Sequence, residues 1–127
     1  MTDISVPIAD DLEDFVNKEV RALSLNLLIG LVRTTPVDTG RAKGNWFVSP
    51  TQKSNRTIDN NRRSQQAISQ GSATIQSVIN EKFPDITVSN NLPYIEKLND
   101  GHSKQAPKKF IETEINRVVR ASNLNVR

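Results

Sequence analysis

The first third of the chain carries an apolar stripe with the period of an α-helix. The residues of the stripe recur at three- and four-residue steps and are Leu12, Phe15, Val16, Val20, Leu23, Leu27, Leu28, Leu31 and Val32. This spacing predicts one long amphipathic helix over residues 10–34. Asp10 or Asp11 suits its N-cap, and Thr35-Pro36 ends it, because proline pushes the residue before it out of helical geometry. Gly30 marks a kink or a close backbone approach, or is tolerated near the helix end.

Two short segments have the composition of β-strands, and a weaker helical pattern lies between them. Residues 45–49 and 86–90 are the predicted strands, and the second alternates apolar and polar side chains. A sparse stripe predicts a helix over residues 66–83, which Gly71 and the many Ser and Gln residues weaken. The members of that stripe are Ile68, Ile75, Val78, Ile79 and Phe83.

The last third of the chain predicts a short element and then a final helix. Residues 94–98 fit either a short strand or a helical turn, and Asn99-Asp100-Gly101 ends it, with Gly101 at a positive backbone dihedral. Pro107 opens the final helix, since proline is favoured in a first turn. The predicted apolar face of that helix consists of Phe110, Ile111, Ile115, Val118 and Val119.

These elements predict a single domain over residues 1–127 with an α+β fold. A long N-terminal helix is expected, with a small, mostly antiparallel sheet and a middle and a C-terminal helix packed on it. Residues 51–66 are almost free of apolar groups, so they cannot bury enough surface to offset their ordering entropy. A polar, mobile loop is therefore predicted there in the isolated subunit.

Charge is segregated along the 127 residues, although the net charge is only +3. Residues 1–19 hold six acids and one base, residues 33–63 hold seven bases and two acids, and residues 97–127 hold seven bases and three acids. One interpretation is ordinary solvated charge. The other is an acidic pole and a basic loop, which dock head-to-tail on copies of the chain or face phosphates.

The side chains that most enzymes and metal sites need are scarce. The chain has no cysteine and one histidine, His102, which excludes disulfides, thiolate chemistry and a multi-histidine metal site within one subunit. His102 adjoins Ser103 and lies near Asp100, but a working triad assembles from separated segments. A hydrolase with a pocket at His102 is the least favoured hypothesis, and we predict a protein that is not an enzyme and has no cofactor or metal.

Membrane insertion and base stacking are also not expected. The longest apolar run, residues 27–32, is far too short to span a bilayer, and no secretory signal is visible. The basic residues of the 51–66 region are Lys53, Arg56, Arg62 and Arg63, and no aromatic residue is interleaved with them. Stacking on single strands is therefore not expected, whereas non-specific proximity to duplex DNA stays open.

Two longer motifs resemble a known family. The first motif is TPVDTGRAKGNW, residues 35–46, and the second is NNLPYIEKLNDGHSKQAP, residues 90–107. In order and spacing they resemble the signatures of phage tail-completion proteins, the minor tail component family of long-tailed bacteriophages. Ala42 stands where that family often has leucine, and residues 51–77 match nothing in it.

The resemblance implies a structural virion protein rather than a catalyst. Family members form hexameric rings at the head–tail junction, between the head-side connector or stopper and the tail terminator or tube, with the genome passing through the lumen. It implies a subunit made in the host cytoplasm, whose partners are its own copies, those two neighbours and, non-specifically, DNA. A small basic DNA-binding accessory protein is the alternative.

Two groups of site residues are expected, the first carried over from the resemblance residue by residue and the second from the basic charge of the 51–66 region, which the motifs do not cover. Those expected to shape ring contacts are Asp38, Thr39, Gly40, Arg41, Trp46, Asn91, Pro93, Tyr94, Gly101 and Pro107. Those expected to face the lumen or DNA are Lys53, Arg56, Arg62 and Arg63. Trp46 and Tyr94 suit either the core or a protein contact.

Overall fold

The computed structural model describes residues 5–36, 41–58, 62–101 and 108–123, with side chains from residue 11 onward. Its elements in chain order are α1 (Ser5–Thr34), a short 3₁₀ helix (Lys43–Asn45), β1 (Trp46–Ser49), α2 (Ser64–Gln76), β2 (Thr87–Asn90), α3 (Ile95–Asn99) and α4 (Phe110–Ala121). The predicted α+β fold with a long N-terminal helix is confirmed.

Helix α1 is the element against which α2, α4 and β1 pack. Its C-terminal half buries Leu28, Leu31 and Val32, and the helix ends at Thr34, as the Thr35-Pro36 pair predicts. The predicted N-cap at Asp10 or Asp11 is wrong, because the helix already runs from Ser5. The acids there therefore lie within the helix rather than at its first turn.

The sheet has two antiparallel strands, and both predicted strands are confirmed to within one residue. β1 pairs with β2 from Trp46 opposite Asn90 to Ser49 opposite Thr87. One core cluster joins this sheet to α1 and α2, since Trp46, Leu28 and Ile75 are all buried in it. Phe110 from α4 and Leu98 from α3 close the same cluster.

Two glycines allow close approaches between elements. A Cβ at Gly71 of α2 would meet Leu28 of α1 and Val48 of β1, and a Cβ at Gly30 of α1 would meet Glu114 of α4. Of the three interpretations of Gly30, the structure thus favours a close approach. Gly71 weakens α2 by its propensity but permits its packing on α1.

The middle helix is shorter than its apolar pattern predicts. Helix α2 ends at Gln76 rather than at residue 83, and short-range bonds such as Val78 N–H to Ile75 O (3.3 Å) form turns after it. The reason lies in α1, where the buried Asn17 side chain donates to Val78 O at 2.8 Å and to Glu81 O at 2.5 Å. These bonds occupy carbonyls that a continuing helix would use itself.

The C-terminal elements confirm some predictions and correct one. Residues 95–99 form a helix, the helical alternative of the two predicted, and Gly101 has a φ of +93°. The apolar face predicted for α4 is wrong in part, because Ile115 and Val119 are exposed while Glu114 is buried. Glu114 faces Gly30 of α1, so α4 is rotated from its apolar stripe towards that gap.

Candidate functional site

The described parts of the two motifs lie side by side. Asn90 Nδ2 donates to Ala42 O at 2.9 Å, and β1 and β2 place Trp46 beside Asn90. Trp46 is 4% exposed, and its Nε1–H donates to Thr35 Oγ1 at 2.8 Å. Of the two interpretations of Trp46, the core is therefore the one that holds, and Trp46 influences any contact only by holding the motifs together.

The segment after β1 has no regular structure over residues 51–58 but is hydrogen-bonded to both motifs. Asn45 is buried, and its side chain donates to Ile58 O at 3.0 Å and accepts from Ile58 N–H at 2.8 Å. Asn91 donates to Ser54 O at 2.5 Å and to Arg56 O at 3.0 Å. The loop is shorter than the predicted residues 51–66, because α2 begins at Ser64. The mobility of the loop stays a prediction, and these hydrogen bonds argue against it.

Arg62 is the side chain that closes this segment against the sheet. Its Nη1 donates to Trp46 O at 2.9 Å and to Gly44 O at 3.3 Å, and its Nη2 donates to Gln70 Oε1. The guanidinium carbon lies 4.3 Å from the centroid of the Phe47 ring, a cation–π contact. Burial lowers the pKa of Arg62, and the neighbouring charge of Arg56 lowers it further.

The expectation that all four basic residues face a lumen or DNA needs a correction at Arg62. That residue is only 8% exposed and its donors serve backbone carbonyls, so it has a structural role. Lys53, Arg56 and Arg63 are exposed. Arg56 also lies over Phe47, at 4.9 Å from the ring centroid, which holds its charged group at the surface of the sheet.

The turn before α3 presents an aromatic residue among cations. Tyr94 is 50% exposed and Pro93 beside it is exposed, whereas Ile95 points into the core. Lys97 Nζ lies 5.9 Å from the centroid of the Tyr94 ring. Asn91 holds the Arg56 main chain next to this turn, so the two regions are neighbours. We call Arg56, Pro93, Tyr94 and Lys97 the basic face.

The N-terminal part of α1 is apolar and acidic at once. Leu12 is 55% exposed and Phe15 is 43% exposed, and Asp11 and Asp14 beside them are exposed as well. Of the side chains that the structure describes, Asn17 is the first along α1 to hydrogen-bond to another element. We call Asp11, Leu12, Asp14 and Phe15 the acidic end.

Several predicted site residues lie outside the described residues. These are Asp38, Thr39, Gly40 and Pro107, together with His102. Arg41 is half-buried next to the first motif's 3₁₀ helix. The structure thus brings Trp46, Asn91, Pro93 and Tyr94 to one region around the sheet, and it places Gly101 after α3 in the turn towards α4.

Sequence reasoning missed three buried polar residues that fix this region. They are Asn45, Asn99 and Arg62, and for Arg62 the burial and the bonds to backbone carbonyls were missed. Asn99 accepts from Ile111 N–H at 2.9 Å and donates to both Glu112 oxygens at 2.9 Å, which sets the start of α4. The sequence signal that could have indicated them is an asparagine at the edge of an apolar segment, because its side-chain amide commonly bonds backbone groups there.

Comparison with family models, with characterised protein sequences and with solved structures finds no match to this chain. Among the described residues, no helix combines the length and apolarity that a bilayer span needs. Within the same residues, no three His, Cys, Asp or Glu side chains come close enough to share a metal ion.

Proposed function

We propose that this chain is a structural virion subunit that forms a ring at the head–tail junction of a tailed bacteriophage. In that role it completes the tail and joins it to the head connector, and the genome passes through the lumen. The two motifs support the proposal by their resemblance to tail-completion proteins. Their packing against each other supports it as well, since the first motif then holds the second, which carries the exposed turn, in place.

One observation carries the proposal: the subunit exposes two unlike surfaces of opposite charge. The acidic end combines two carboxylates with Leu12 and Phe15, and the basic face combines two cations with Pro93 and Tyr94. One exposed charge of the opposite sign adjoins each, Lys18 and Glu96 respectively. Two different surfaces on one subunit make a head-to-tail contact, and repeated head-to-tail contacts close into rings when the rotation allows it. Exposed aromatic residues flanked by charge are typical anchors of protein contacts.

Labelling of the chain in intact particles tests this function. A peptide tag inserted after Asn123, followed by electron microscopy with a tag-specific label, is expected to place the chain at the neck between head and tail. The same tag on a capsid protein serves as the control. Label on the tail tip, on the capsid or on no particle would contradict the proposal.

Non-specific DNA binding is the second candidate, and exposed cations favour it. Lys53, Arg56 and Arg63 are exposed within one short stretch of sequence. Contacts to phosphates would give a duplex affinity whose logarithm falls linearly with the logarithm of salt concentration. Each phosphate contact contributes a slope of roughly 0.9, so replacing Lys53, Arg56 and Arg63 by glutamine should lower the slope by up to about 3.

A further inference from the structure

The acidic end of α1 continues the face that packs against α4, and among the described residues no helix or strand packs on it. Glu114 approaches Gly30, and Asn123 Nδ2 donates to Glu19 Oε1 at 3.2 Å, so α4 runs antiparallel to α1 and ends near Glu19. Residues 12, 15 and 19 recur at three- and four-residue steps and share that face. Leu12 and Phe15 thus extend the packed face beyond the end of α4.

The basic face lies at the opposite end of α1. Trp46 Nε1 bonds Thr35 Oγ1 at 2.8 Å and Lys43 Nζ donates to Arg33 O at 3.0 Å, which places β1 beside the C-terminal end of α1. Phe47 in β1 carries Arg56 over its ring. From residue 14 to residue 33 a helix rises about 28 Å, at about 1.5 Å per residue. The acidic end therefore cannot cover the basic face of its own chain.

The two surfaces match each other in chemistry. Asp11 and Asp14 offer carboxylates along one side of the Leu12–Phe15 stripe. Arg56 and Lys97 are the cations of the basic face, and Lys97 Nζ lies 5.9 Å from the centroid of the Tyr94 ring. Pairing two acidic ends would bring like charges together, which opposes association, so a symmetric contact of α1 with α1 is disfavoured. A contact between unlike surfaces pairs charges and also covers Leu12, Phe15 and Tyr94.

We propose that the acidic end of one subunit docks on the basic face of a second copy of the same chain. This inference rests on the proposed ring, for which it names the contact between subunits. Leu12 and Phe15 pack against Pro93 and Tyr94 of the neighbour, and the carboxylates pair with its cations. Each subunit contacts one neighbour through its acidic end and another through its basic face, so the contact repeats from subunit to subunit.

Charge reversal on each surface, followed by mixing, tests the contact directly. Variant A is Asp11→Lys with Asp14→Lys, and variant B is Arg56→Glu with Lys97→Glu. Native mass spectrometry and sedimentation velocity measure the oligomers of each. We expect each variant alone to lose self-association by roughly tenfold or more, since like charges then face each other. A mixture of A and B is expected to associate again, because both reversed surfaces find opposite charge.

Matched controls carry the same change in net charge at exposed positions elsewhere. Glu81→Lys with Asp85→Lys is the control for variant A, and Lys82→Glu with Arg120→Glu is the control for variant B. The controls should associate as the parent chain does. Leu12→Ser with Phe15→Ser removes the apolar part of the contact without a charge change and should also weaken association. Circular dichroism checks that every variant is folded.

The failures of the two proposals are distinguishable. Variants A and B that associate like the parent, or a mixture of A and B that stays monomeric, would overturn the docking contact. A parent chain that stays monomeric at the highest concentration reached would overturn it too. In each case label at the neck of particles would leave the proposed function standing. Label away from the neck would overturn that function whatever the variants do.

Discussion

At the scale of single residues, polar side chains rather than apolar ones hold the two motifs to the 51–58 segment. Asn45 of the first motif pairs with both backbone groups of Ile58, and Asn91 of the second donates to the carbonyls of Ser54 and Arg56. A buried hydrogen-bonding group left without its partner destabilises a protein by about 1–3 kcal/mol. These residues therefore control the shape of the surface although they do not form it.

Gly71 provides a test at this scale because two effects there have opposite signs. Helix propensity alone predicts that Gly71→Ala stabilises α2 by about 1 kcal/mol. The added Cβ would meet Leu28 and Val48, and overpacking of a core commonly destabilises by about 1–3 kcal/mol. We expect a lower free energy of unfolding in urea. Ser69→Ala, at an exposed site of the same helix, should leave it unchanged or raise it by up to about 0.5 kcal/mol.

At the scale of elements, each helix takes its limits from a neighbour as well as from its own sequence. Asn17 of α1 binds the carbonyls of Val78 and Glu81 and so fixes the turns that follow α2. Arg21 lies one turn further along α1 and contacts the end of α2 itself. Its Nη1 donates to Oε1 of Gln76, the last residue of α2, at 3.1 Å. Helix α1 thus sets where α2 ends.

Removal of the Asn17 amide should loosen those turns selectively. Asn17→Ala removes the side-chain donor from the carbonyls of Val78 and Glu81, although Val78 O keeps the bond from Glu81 N–H at 3.0 Å. We therefore expect about 1–3 kcal/mol lower stability. Hydrogen exchange should accelerate over residues 78–83 before it does so in the sheet. Asn26→Ala, on the exposed side of α1, is the matched control; it should leave the exchange over residues 78–83 unchanged and leave the stability unchanged or raise it by up to about 0.7 kcal/mol. Uniform acceleration across the whole chain would contradict the local anchor.

Most elements could be predicted from periodicity, and the exceptions share a cause. The stripe of α1 and the two strands depend on local patterns, so their positions were predicted to within a few residues. The end of α2 and the face of α4 depend on Asn17 and on the Glu114–Gly30 approach, which join residues distant in sequence. At the candidate site, the sequence could not decide whether Tyr94 is buried or exposed, because an aromatic residue suits either a core or a protein contact.

At the scale of the whole molecule, the segregation of charge along the sequence is kept in part, because α4 carries the exposed Arg120 back towards Glu19 whereas the basic face stays distant from the acidic end. The acidic end lies at the start of α1, and the basic face lies near its C-terminal end, beside Thr35. A small net charge of +3 therefore hides two strongly charged surfaces. Association through such surfaces depends on charge pairs that salt screens and on apolar contacts that it does not.

Salt dependence of self-association follows from this arrangement. Raising the ionic strength from about 0.01 M to about 1 M shortens the Debye length from about 30 Å to about 3 Å. We expect the dissociation constant of the assembly, measured by sedimentation, to rise several-fold over that range. Variant A, whose acidic end is reversed, should instead associate better as salt rises. A parent chain with no salt dependence would show that the exposed charges take no part.

The antiparallel pairing of α1 with α4 also has a consequence for synthesis. Glu19 and its partner Asn123 are 104 residues apart, so the packing of α1 is completed by a helix that is made much later. At about 5–20 residues per second, translation takes about 5–20 s to span that distance. Throughout that interval the α4-facing side of the nascent α1 helix is open to chaperones and to neighbouring nascent chains.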